Sequence, residues 1–178
     1  DPLTDTVHDW VNGQPDLNDM ILRTIGDPVE RFTEDYLRLL RAVRFAAQLG
    51  FEIEPATFDA ISANAPKIRN VSGERVRDEL CKLFSPPHAA RGLDLLQQSG
   101  LLEHVLPELA ATVDCDQSPD FHPEGSVFNH IRLMLSLMPK DASHRLPWTI
   151  LLHDIAKPQI RSVDEDGRIH FYGHEKKG

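Results

Sequence analysis

The sequence predicts an all-α architecture: a helical bundle, then the leading helices of a second helical unit, with a short irregular or extended piece in front. Three observations predict it. Apolar residues recur at a spacing of three and four across the middle of the chain. Helix stops such as Gly50, Gly100 and Pro86-Pro87 punctuate that pattern. Turn formers crowd residues 1–30, which therefore read as loop and short extended pieces, with a strand expected within Met20–Ile25.

From Thr33 the pattern turns helical. Thr33 is read as the N-cap, Glu34 and Asp35 as the first turn, and Gly50 as the stop. Leu39, Leu40, Val43, Ala46 and Ala47 then share one face, while Glu34, Arg38, Arg41, Arg44 and Gln48 share the other. Further helices are expected from Pro55 to before Pro66, from Ser72 to Phe84, from His88 to Ser99, and briefly from Leu101. Residues 112–125 read as a linker. Two more helices follow, Ser126–Met138 and His144–Ala156, and residues 157–178 read as a loop or hairpin.

Of the 178 residues, 40% are hydrophobic and 26% charged, an ordinary globular balance. No apolar run approaches the ~18 residues that a membrane span needs, so no membrane partner is expected. Two cysteines, Cys81 and Cys115, make neither a disulfide framework nor a zinc spacing, which points to a reducing, cytoplasmic setting. Cys81, beside Leu80, Leu83 and Phe84, reads as a small core residue. The net charge of −9 argues against general nucleic-acid coating. Residues 31–91 nevertheless carry 10 basic and 8 acidic side chains, against 9 and 20 elsewhere. A mildly basic middle permits a local RNA contact.

Two clusters carry chemistry. Arg38, Arg41 and Arg44, three apart, form a slanted cationic stripe suited to phosphate oxygens and base edges. Asp35 lies one turn before Arg38, and an acceptor beside a guanidinium donor can read the edge of a base. The plainer reading is a solvated face with a Glu34–Arg38 pair. The second cluster is His122, His130, His153-Asp154 and His174. An Asp at the end of the apolar run Ile150–Leu152 is costly unless paired or metal-bound. Neighbouring imidazole and carboxylate suit a divalent metal. The plainer reading here is a core histidine with an Asp154–Lys157 pair. Lys157 itself reads as a solvated helix-end cation.

The run IGDPVERFTEDYLRLLRAVRFAAQLGF, from Ile25 to Phe51, resembles the neck entry of class II CCA-adding tRNA nucleotidyltransferases and bacterial poly(A) polymerases. Val71–Leu80, with Glu74-Arg75 and Glu79, resembles the same family. The resemblance implies that Asp35 and Arg38 choose ATP or CTP by pairing with the base, with Glu34 in support and Arg41 and Arg44 nearer phosphates. It implies tRNA or another RNA 3′ end as partner, and CTP and ATP as substrates. The stretch HPEGSVFNHIRLML, with LLHDIAKP and FYGHEKKG, resembles the HD phosphohydrolase domain. That implies a transition-metal site (Ni²⁺, Mn²⁺ or similar) on His130, His153 and Asp154, with His174 as an additional ligand. The expected division is 1–30 as the end of the nucleotidyltransferase head, 31–118 as neck and body, and 119–178 as a partial HD domain.

One departure bears on the chemistry. The family's head holds Mg²⁺ on an Asp-x-Asp carboxylate pair after Gly-Ser. The two Asp-x-Asp triplets here, Asp114-Cys115-Asp116 and Asp164-Glu165-Asp166, follow no Gly-Ser and read as surface loops. No residue of this chain is therefore expected to catalyse transfer. Two other functions fit parts of the sequence: a stand-alone HD-type phosphohydrolase or phosphodiesterase, and a non-catalytic RNA-binding helical module.

Overall fold

A computed structural model describes residues 3–119 and 121–178. Helix α1 (Gly13–Asn18) precedes β1 (Ile21–Leu22); α2 (Pro28–Glu34) and α3 (Leu37–Leu49) follow, then β2 (Glu52–Ile53), α4 (Pro55–Asn64) and a 3₁₀ turn, Ala65–Asn70. Next come α5 (Gly73–Leu83), α6 (Ala89–Gln98), α7 (Leu102–Val105) and α8 (Pro107–Ala110). The last stretch holds α9 (Val127–Ser136), α10 (Arg145–Leu152), α11 (Lys157–Ile160), the hairpin β3 (Ser162–Val163) and β4 (Ile169–His170), and α12 (His174–Lys177). The fold is mostly helical, as the periodicity predicts. No described helix is long and apolar enough to cross a membrane.

Helix α3 is the centre. Its stripe Leu39, Leu40, Val43, Ala46 and Ala47 is buried to 1% exposure or less. Burying each large apolar side chain contributes roughly 1.5–3 kcal/mol. The stripe packs on α5 and α6; α6 packs in turn on α9, and α9 on α10. One apolar core therefore runs from Phe32 to Leu151. Gly50, at φ 70°, adopts the left-handed conformation that ends α3. Phe51 N–H then bonds to Ala46 O, and β2 pairs in parallel with β1, Ile21 opposite Glu52. That pairing ties the N-terminal stretch to α3.

Several expectations change. Thr33 is not a helix cap: Asp27 caps α2, its carboxylate accepting from Glu30 N–H at 2.9 Å, with Pro28 in the first turn. Asp35 breaks the helix at φ −159° and ψ 106°, and its Oδ1 accepts from Leu37 N–H at 3.1 Å, opening α3. An Asp that bonds its own downstream backbone competes with helix continuation. Residues 1–30 are not free of helix, because the Asp9 carboxylate accepts from Gly13 and Gln14 N–H, both at 2.9 Å, and starts α1. Cys81 is exposed, lying about 100° round α5 from buried Leu80.

Residues 112–125 are not a loose linker. Thr112, Cys115 and Gln117 are buried, and Cys115 O and Thr112 O accept from Val127 and Phe128 N–H at the start of α9. The helix expected to reach Ala156 stops at Leu152. Pro158 has no N–H to donate, and its ring would crowd the carbonyl of Asp154.

Candidate nucleotide and metal sites

Two regions gather the predicted side chains. The first is a cleft of about 330 Å³ between β1 and the α2–α3 corner. Arg38 and Arg41 line it from α3, with Ala42 and Phe45 behind them; Arg23 and Arg31 complete its cationic rim. Arg41 is exposed. Arg38 donates to Arg31 O at 2.8 Å and to the Glu34 carboxylate, which also pairs with Arg31 at 2.9 Å. Glu34 therefore braces two of the cleft's guanidinium groups. The Arg38 hydrogen bond holds its carboxyl below the usual range.

Asp35 does not line this cleft. Its Oδ2 pairs with Arg75 on α5 at 2.7 Å, and that hydrogen bond lowers its pKa. The Asp35 and Arg38 side chains share no hydrogen bond, although Arg38 N–H donates to Asp35 O at 3.0 Å; each side chain is held by another partner. Arg44 turns away from the cleft. Its Nε donates to Glu79 at 2.7 Å and its NH1 to Gln48 at 2.9 Å, with the side chains of Arg44 and Glu79 only 12% and 8% exposed. Burial alone would raise the Glu79 pKa, but the bonds from Arg44 and Lys82 outweigh it and lower it. Arg44 thus ties α3 to α5. Spacing along the chain does not single out Arg23 and Arg31. An Asp27-Pro28 helix start was the available signal, since it places Arg31 on the turn that leads into Arg38.

The second region joins α9 to the turns around α10 and α11. His130, His153 and Asp154 place one ligand atom each within 4.8 Å of one another. Asp154 is buried at 4% exposure, and its Oδ2 lies 3.1 Å from His153 Nε2 and 2.7 Å from Lys157 Nζ. Its Oδ1 faces His174 Nε2 at 3.6 Å. Burial pushes the Asp154 pKa up, but the bonds from His153 and Lys157 prevail and hold the carboxyl well below the ordinary range. The same Asp154 bond raises the His153 pKa.

Each predicted histidine has its Nδ1 beside an acceptor: Glu124 Oε1 at 2.6 Å for His130, Ile150 O at 2.7 Å for His153, and Phe171 O at 3.0 Å for His174. An acceptor there assigns a proton to Nδ1 and leaves Nε2 as the candidate ligand atom, which in His153 faces Asp154 Oδ2 at 3.1 Å. Three imidazoles around one carboxylate suit a divalent transition metal. His122 joins the group through Glu124, at 3.1 Å. The Glu124 pKa falls to about 2, through its own backbone N–H and the bonds to His122 and His130. Lys157 is not a solvated cation: it is 7% exposed, pairs with Asp154 and donates to Gln117 Oε1 at 2.7 Å. Nothing in the sequence marks Gln117, and only its nearness to His122 marks Glu124.

Comparison with known proteins agrees with the fold. Residues 50–112 match the family described as "Probable RNA and SrmB- binding site of polymerase A". An A-adding tRNA nucleotidyltransferase of Deinococcus radiodurans is 37% identical over 96% of this chain and 40% of its own length. A CCA-adding enzyme of Geobacillus stearothermophilus is 45% identical over 59% of this chain and 26% of its own. The crystal structure of the Bacillus stearothermophilus CCA-adding enzyme in complex with CTP superposes with a TM-score of 0.64 at 30% identity, over 85% of this chain and 35% of that one. The chain thus spans well under half the length of these relatives. In sequence and in fold, it belongs to the family of CCA-adding and A-adding tRNA nucleotidyltransferases.

Proposed function

We propose that the chain is the nucleotide- and RNA-binding helical part of an RNA 3′-end nucleotidyltransferase that adds CCA or A from CTP and ATP. In this reading residues 1–30 end the head, 31–118 form neck and body, and 119–178 begin an HD domain. The tRNA or other RNA 3′ end lies against the basic neck, in a cytoplasmic enzyme. Transfer itself runs on Mg²⁺ held by head carboxylates, and no residue described here is assigned to that step.

The observation that carries the reading is the cleft beside α3, where Arg38 and Arg41 stand at the point of family resemblance. Guanidinium groups braced by Glu34 meet a triphosphate or base edge with little further ordering. Asp35 supplies the acceptor of base selection when Arg75 yields it, so the pair assembles on binding rather than beforehand. In the full-length gene product, Arg38→Ala should raise KM for CTP and ATP about 10–100-fold, the worth of a charged hydrogen bond, and blur the choice between them. Unchanged KM and unchanged selectivity would refute this assignment.

The histidine cluster favours a second activity in the same protein. His130, His153 and Asp154, with His174, would hold a divalent transition metal, which supplies a polarised water for phosphoester hydrolysis. Lys157, steadied by Gln117, keeps Asp154 ionised and in place. Cobalt titration reads the centre directly: visible ligand-field bands should grow with added Co²⁺ and vanish in His153→Ala. A featureless spectrum from the unaltered chain excludes it.

A further inference from the structure

Glu124 sits between two histidines that the rest of the centre does not connect. Its Oε1 lies 2.6 Å from His130 Nδ1 and 3.1 Å from His122 Nδ1. The two rings meet edge to face, centroids 4.9 Å apart, and the His130 ring lies 5.6 Å from that of His153. The segment that bears Glu124 is pinned as well: Asn129 Nδ2 donates to Glu124 O at 3.1 Å, and Gly125 turns the chain at φ 95° into the Ser126 cap of α9.

An ionised carboxylate only accepts hydrogen bonds, so both imidazoles must present N–H to it. His130 is then held in one tautomer and one ring orientation, with Nε2 left for the metal. Carboxylate–histidine–metal relays of this form raise ligand basicity and keep the ring from rotating. The role of His122 is to share the carboxylate and stop it swinging away from His130.

We infer that Glu124 is the positioning residue of the metal centre, acting through His130, and that His122 secures it. The inference rests on the metal-centre reading above. The same atoms offer a competing arrangement: His122, Glu124 and His130 also place ligand atoms within 4.8 Å of one another, the makings of a site for a second ion. Stoichiometry separates the two.

The experiment titrates Co²⁺ into the unaltered chain, Glu124→Gln, His122→Ala and His153→Ala, reading visible ligand-field bands and heat of binding. Far-ultraviolet circular dichroism checks that each variant is folded. The expected result is one ion per unaltered chain, about 10–100-fold weaker binding in Glu124→Gln with shifted bands, and a smaller loss in His122→Ala. Glu124→Gln that binds with unaltered affinity and spectrum overturns the inference while leaving the centre intact. Two ions per chain, one of them lost in Glu124→Gln, makes Glu124 a ligand and also overturns it. No binding by the unaltered chain, or equal binding by His153→Ala, removes the centre and the inference together.

Discussion

Arg44 and Glu79 show how a charge that looks free in sequence becomes structural. Both side chains are nearly sealed from water, and the Arg44 Nε–Glu79 Oε2 distance is 2.7 Å. Desolvating the pair is costly, so its net worth is small, but removing one partner strands the other. Glu79→Ala should therefore destabilise the chain by about 3 kcal/mol in urea unfolding, with Gln48 softening the loss. Because the folded-state pKa of Glu79 is depressed, its contribution is present above the ordinary glutamate range and lost as pH falls through the folded value. The unaltered chain and Glu79→Ala should thus converge in stability on acidification. A constant difference between them down to low pH would show that the ion pair is not the cause.

At the scale of elements, helix starts and stops were legible. Gly50, Ser72 and Ser126 stand where the boundaries fall, and Pro55 opens α4 as expected. The α2–α3 break was not, because Thr33 and Asp27 both look like caps, and only the extended backbone at Asp35 separates two helices that periodicity joins. Packing between elements was invisible for the same reason: a glycine within a helix gives no sign of what it touches. Gly92 of α6 is such a case. A Cβ there would stand 2.7 Å from Leu83 Cδ1 and 2.9 Å from Leu83 Cγ, in a side chain buried at 1% exposure. In a free helix, glycine to alanine gains roughly 1 kcal/mol; overpacking a core costs about 1–3 kcal/mol. Gly92→Ala should therefore lose on the order of 1 kcal/mol and lower the thermal midpoint, against its helix propensity. A raised midpoint would mean that α5 and α6 part easily.

Over the whole molecule, the charge is divided rather than spread. The acidic excess lies outside residues 31–91, and seven of the ten basic residues of that span sit on α2–α3 and on α5, the two sides of the Asp35–Arg75 bridge. The core beneath them is continuous into α9 and α10. The arginine cleft and the histidine cluster are consequently carried on one packed body. Movement of one relative to the other would require α6 and α9 to part.

The sequence by itself determined the helical class, most helix ends, the family resemblance at Ile25–Phe51 and the adjacency of His153 and Asp154. All of these are local: they depend on spacing within a turn or two, on capping chemistry, or on neighbours in the chain. Only the tertiary structure decided which charges are free and which are spent. Asp35 meets Arg75 across 40 residues, Arg44 meets Glu79 across 35, and Lys157 meets Gln117 across 40. A charged side chain takes whichever partner helix packing brings within reach, and separation along the chain does not encode that distance. Arg38 and Arg41 thus face a cleft while Arg44, on the same stripe, holds two helices together.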